Sequence, residues 1–172
     1  MPITSDGVIT YTFYKKENKS CDQDIKSARL NAHCQILGTK SEIDGMRMIR
    51  LLLVDDQSIV RQGLRMRLLL EPDILVVGEA SSGEQAIELV HELAPDIVLM
   101  DVEMPGMDGI TATAALRAAT TQSAVVMMSI HDDTQTRVRA QAAGAAAFVE
   151  KTGTLEKLLA TIHQVVEFTG TA

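Results

Sequence analysis

Five short apolar runs punctuate this chain, at Ile49 to Val54, Ile74 to Val77, Ile97 to Met100, Ala124 to Met128 and Ala145 to Val149. Amphipathic stretches lie between them, and that alternation is the βα rhythm of a parallel sheet covered by helices on both faces. Val60/Leu64/Leu68, Ala86/Ile87/Val90 and Leu155/Leu158/Leu159/Ile162/Val165 have helical spacing, so each gives one apolar face to lay on the sheet. Boundary residues agree: Ser81 with Glu84 forms a capping-box pattern, Asp108 suits an N-cap before Ile110, and Gly144 suits the position just past the fourth helix. Right-handed crossovers then yield an α/β fold, a doubly wound five-stranded parallel sheet.

At 172 residues and 46% hydrophobic composition, the chain suits one compact domain with a tail left over. The tail is residues 1–47, which hold Tyr11, Phe13, Tyr14, Cys21 and Cys34 but little apolar periodicity. Ile9 to Tyr14 alternates as a half-buried strand does. Met46 or Met48 precedes the first core strand, so the leader reads as a misplaced start, an expression-derived extension or a genuine tail, and the sequence leaves all three open. The two cysteines form no metal-binding pattern and read as reduced thiols. No apolar run spans a bilayer and the N-terminus lacks the form of a signal peptide, so no membrane association and a cytoplasmic location are expected.

In open parallel sheets, ligands bind beyond the carboxyl ends of the strands. Asp55 and Asp56 follow the first strand, Asp101 the third, Ser129 closes the fourth and Lys151 follows the fifth, so all five are expected along one edge. Three carboxylates brought together repel, so either one holds a proton or a cation neutralises them, and oxygen ligands favour a hard ion such as Mg²⁺. A carboxylate holding Mg²⁺ beside an ammonium and a hydroxyl is equipped for phosphoryl transfer, with Asp101 expected to attack phosphorus. Asp101 is also expected at a solvent-accessible edge rather than in the core. Taken singly these residues have plainer explanations: a turn aspartate, a surface lysine, a loop hydroxyl. Their conjunction at the ends of four strands favours chemistry. His33, His91, His131 and His163 share no ligand spacing, which argues against a zinc site.

The segments LLLVDDQSIVRQGL, PDIVLMDVEMPGMDGI, VVMMSIHDD and AGAAAFVEKT resemble the successive signature blocks of response-regulator receiver domains, in the style of the NarL/FixJ subfamily. The likeness runs from about Met48 to Phe168 and places a receiver over residues 48–170. It implies the flavodoxin-like strand order 2-1-3-4-5. It also implies that Asp55, Asp56, Asp101 and the backbone carbonyl of Glu103 hold Mg²⁺, that Asp101 is the phospho-acceptor, that Lys151 and Ser129 bind phosphoryl oxygens, and that Ser129 and Phe148 form the conformational switch. Two departures stand out: Thr152 follows Lys151 where many receivers have proline, and Glu103 puts an acid two residues past the acceptor.

The implied role is that of a phosphoryl acceptor rather than a conventional enzyme, one that promotes its own phosphorylation and dephosphorylation, with a sensor histidine kinase as partner and transcription as output. Homodimerisation on phosphorylation, through the first and fifth helices or the fourth-helix face, is left open. From residue 48 onward nine Lys/Arg stand against seventeen Asp/Glu, so this chain is expected not to bind DNA itself. No helix-turn-helix follows the fifth helix before Ala172, which reads as truncation or a stand-alone receiver. A degenerate, purely protein-binding receiver is disfavoured because all five site residues are present. A phosphatase of the haloacid dehalogenase type is disfavoured by residue order: its acidic metal pair follows the lysine, whereas Asp55 and Asp56 come first here.

Overall fold

A computed structural model of the chain describes residues 42–43, 46–119, 122–130 and 133–170. The expected strand at Ile9 to Tyr14, both cysteines, His33 and His131 lie outside the described residues. After a two-residue antiparallel ribbon, Glu42–Ile43 with Met46–Arg47, strands and helices alternate without exception. They are β1 (Ile49–Val54), α1 (Ser58–Leu68), β2 (Ile74–Ala80), α2 (Gly83–Leu93), β3 (Ile97–Asp101), α3 (Gly109–Ala118), β4 (Ala124–Ser129), α4 (Thr134–Ala143), β5 (Ala147–Glu150) and α5 (Leu155–Thr169). The five strands are parallel in the order β2-β1-β3-β4-β5, the flavodoxin-like arrangement.

The two faces of the sheet carry separate cores because side chains alternate along each strand. Leu51, Leu53, Ile97, Leu99, Val126 and Met128 pack with Leu68 of α1 and with Leu158, Ile162 and Val165 of α5. Leu52, Val54, Val98, Met100, Val125 and Met127 pack on the other face with Ala86 and Val90 of α2, Leu116 of α3 and Ala140 of α4. Both residues of each alternating pair are apolar, which is why the runs in the sequence show no period of two.

One strand breaks the alternation. Leu51 pairs with Val76 but Leu52 pairs with Gly78, so Val77 is an extra residue and β2 carries a bulge. Ile74 and Val76 therefore belong to the α1/α5 core while Ala80 belongs to the opposite one.

The helix starts follow the expected chemistry with one correction. Asp108 Oδ1 accepts the Thr111 N–H at 2.7 Å, and Gly144, at φ +102°, ends α4 in the left-handed region. The cap of α2 is Ser82 rather than Ser81: its Oγ accepts the Gln85 N–H, and the Gln85 side chain accepts from the Ser81 N–H. The box thus sits one residue later, and Glu84 is not its acid. β2 runs three residues beyond the expected Val77, and its extension moves the cap along. No helix among the described residues is long and apolar enough to cross a membrane.

Leu99 lies on the central strand with no exposure. Leu99→Ala should lower stability by about 2–5 kcal/mol through the lost burial and the cavity it leaves, measured as a shifted urea midpoint with an unchanged slope.

Candidate functional site

Parallel strands all end at the same edge, and β1, β3 and β5 deliver their last residues to one point on it. Asp55 follows β1, Asp101 is the last residue of β3, and Lys151 follows β5. The Lys151 ammonium lies 2.6 Å from Asp101 Oδ2 and 2.7 Å from Asp55 Oδ2. One oxygen each from Asp55, Asp56 and Asp101 fall within 4.8 Å of one another.

Burial governs the electrostatics. Asp55 and Asp101 are only 1% and 2% exposed, so the expectation of a solvent-accessible Asp101 is overturned. Its strand is buried through to its last residue, and the start of α3 packs against its backbone. Burial raises the Asp101 pKa above the usual carboxylate range, and the hydrogen bond and charge of Lys151 only partly offset this. For Lys151 burial pushes the other way, yet the hydrogen bonds and charges of Asp101 and Asp55 prevail and hold its pKa above the ordinary value. The lysine is therefore a fixed ammonium.

Local backbone bonds fix the rest. Asp101 Oδ1 accepts the Glu103 N–H at 3.2 Å, and Asp55 Oδ1 accepts the Gln57 N–H at 2.9 Å. Lys151 N–H donates to the Ser129 carbonyl at 2.8 Å, and the Gly153 N–H closes the following turn on Glu150 at 3.0 Å, with no proline involved. At Gly109 a Cβ would collide with the Asp101 carbonyl oxygen, so only glycine lets α3 begin this close to the acceptor strand.

The seven residues singled out from sequence are not equally gathered. Asp55, Asp56, Asp101 and Lys151 come together. Glu103 and Asp56 line, with Asp101 and Lys151, an open cleft of about 590 Å³. Ser129 is buried at the end of β4, beside β3 in the sheet. Phe148 stands apart in β5, half-buried, with the Arg137 guanidinium of α4 stacked 4.7 Å from its ring centre. The sequence reading passed over Arg61, whose guanidinium donates to the Asp55 carbonyl at 2.6 Å. Its place within the VDDQSIVRQGL segment was the available signal.

The donor set fits a hard divalent cation. Three carboxylates converge, and Asp56 Oδ1 is buried without a hydrogen-bond partner, which is costly unless something positive meets it.

Comparison with known proteins agrees with this fold. The response regulator receiver domain matches residues 51–163, and the chain belongs to that family. The nitrate/nitrite response regulator NarL of Escherichia coli K12 is 40% identical over 114 residues, covering 66% of this chain and 53% of NarL. The chain spans about half the length of the curated relatives it matches. Among solved structures, the signal receiver domain of the putative response regulator NarL from Mycobacterium tuberculosis superposes with a TM-score of 0.65 at 33% identity, covering 73% of this chain and 98% of that one. A chain of the CheX–CheY–BeF3–Mg²⁺ complex from Borrelia burgdorferi superposes at 0.64 with 26% identity, covering 70% and 90%. These relatives place the chain among receivers of the NarL/FixJ type.

Two outcomes follow from the geometry. Gly109→Ala should cost about 1–3 kcal/mol by forcing α3 away from β3, seen in urea unfolding. Asp101→Asn should be more stable than the wild type at pH 7 in chelator. Because burial raises the folded pKa of Asp101, wild-type stability falls as pH rises through the window from the ordinary 3.8 to that raised value, and Asn is spared the loss. The variant's advantage should shrink as pH is lowered through the same window; a wild type more stable than the variant at pH 7 would contradict this.

Proposed function

We propose that the chain is the phospho-accepting receiver of a two-component system, in which Asp101 takes a phosphoryl group from a sensor histidine kinase. The observation that carries this reading is the Lys151 ammonium held between two buried carboxylates, 2.6 Å from Asp101, in a chain of the receiver family. An Asp101 oxygen attacks phosphorus in line, the bond from phosphorus to the donor nitrogen or acyl oxygen breaks, and the leaving group departs through the open cleft.

Each neighbour has a task set by charge. Asp55, Asp56, Asp101 and the Glu103 carbonyl would hold Mg²⁺, which supplies neutralisation of carboxylate and phosphoryl oxygens. A Mg²⁺ ion is named in the complex of the Borrelia burgdorferi relative. Lys151 already has its ammonium at the acceptor and needs only to exchange a carboxylate oxygen for a phosphoryl one. The Ser129 hydroxyl, at the end of the neighbouring strand, binds a second phosphoryl oxygen. Phe148 then moves inward, and contacts made only in that arrangement shift the population toward it. Leaving its place means breaking the stack under Arg137.

The output lies with a partner or a further domain, because an acidic receiver is a poor ligand for DNA. Cytoplasmic location follows from the same role.

Intact mass after incubation with a small acyl phosphate tests the assignment. One labile phosphate should appear on the wild type with Mg²⁺, and none with chelator or on Asp101→Asn; an unmodified wild type would sink the reading in favour of a receiver that only binds proteins.

A further inference from the structure

The bulge in β2 and an arginine of α1 form a clamp on the loop that carries Asp55 and Asp56. Strict alternation from Ile74 would turn Glu79 toward α2, on the face where Gly78 now meets Leu93 and Leu52. The extra residue at Val77 reverses that, and Glu79 emerges on the α1 face. There its Oε2 accepts from Arg61 Nε at 3.3 Å and its Oε1 from Arg65 at 2.9 Å. The Arg61 side chain is only 16% exposed, and its far end donates to the Asp55 carbonyl oxygen at 2.6 Å. The Asp55 N–H donates in turn to the Ala80 carbonyl, one residue beyond Glu79. The peptide group joining Asp55 to Asp56 is thereby fixed from outside the loop. Its plane sets the direction in which the Asp56 side chain leaves the backbone, and Asp56 Oδ1 is a buried oxygen without a hydrogen-bond partner.

We propose that Arg61, oriented by Glu79, is a positioning residue that aims the Asp56 carboxylate at a bound divalent cation. The inference rests on the Mg²⁺ reading of the site and adds to it a specific support. Positioning and simple charge have opposite signs here. A guanidinium hydrogen-bonded to the Asp55 carbonyl repels a nearby cation, so losing its charge alone strengthens cation binding. Losing the clamp weakens it, because a ligand without its outer support must be ordered by the ion itself.

Calorimetric titration of MgCl₂ into the full chain separates these. Arg61→Ala should bind Mg²⁺ about tenfold more weakly than the wild type, while Arg65→Ala, which loses a Glu79 contact but none to Asp55, stays within about twofold. Urea unfolding of each variant confirms that folded protein is being titrated. If Arg61→Ala does not fold, Arg61→Lys keeps the charge but not the fork that spans Glu79 and the carbonyl, and should still bind about threefold more weakly. Equal or tighter binding by the folded Arg61 variant, or an equal loss in Arg65→Ala, overturns the clamp. A wild type that binds no Mg²⁺ overturns the metal reading itself, and the clamp with it.

Discussion

Two carboxylates with almost no solvent exposure face each other at the edge of an apolar sheet, and the one ammonium between them makes that arrangement tenable. Charge of one sign cannot be withdrawn from water without compensation. Lys151 supplies part of it, from a strand that reaches the site only because β5 pairs beside β4. The site is therefore a property of the sheet order: β1, β3 and β5 contribute the three groups, and β4 brings Ser129 alongside. In the function proposed above, a cation answers the carboxylates and a phosphoryl group answers the lysine.

The packing around the site is tight at the buried carboxylates and looser at Phe148. Asp101 is wedged between the core and the start of α3, which approaches so closely that only glycine fits at position 109. Asp55 is fixed by Gln57, Ala80 and Arg61. By contrast Phe148 is half-buried under a guanidinium and lines, with Ala140, Ala145 and Ala146, an open pocket of about 240 Å³. Such a place tolerates an alternative rotamer far better than a filled core does.

Much of this was legible in the linear chain. The uniform apolar runs of β1, β3 and β4 announced strands covered on both faces, and the polar residues immediately after them announced the edge. Asp108 and Gly144 marked helix ends that the structure keeps. Ser81 with Glu84 did not: the cap is Ser82 with Gln85, because β2 extends to Ala80. The burial of Asp101 was also misjudged, since a residue at the end of a strand looks exposed until the helix start and the lysine packed against it are placed.

The sequence by itself determined the alternation of five strands with helices, the buried faces of α1, α2 and α5, and the side chains that stand at the ends of β1, β3, β4 and β5, because these depend on local periodicity and turn chemistry. Tertiary structure alone decided how the groups meet. Lys151 is ninety-six residues from Asp55, and the distances among Asp55, Asp101 and Lys151 follow from strand order and register. The bulge at Val77 is the clearest case: one unpaired residue reverses the face of everything after it in β2 and sets Glu79 against Arg61. Nothing local in ILVVGEA specifies that step, which arises from how Gly78 and Leu52 must pair to keep both cores filled.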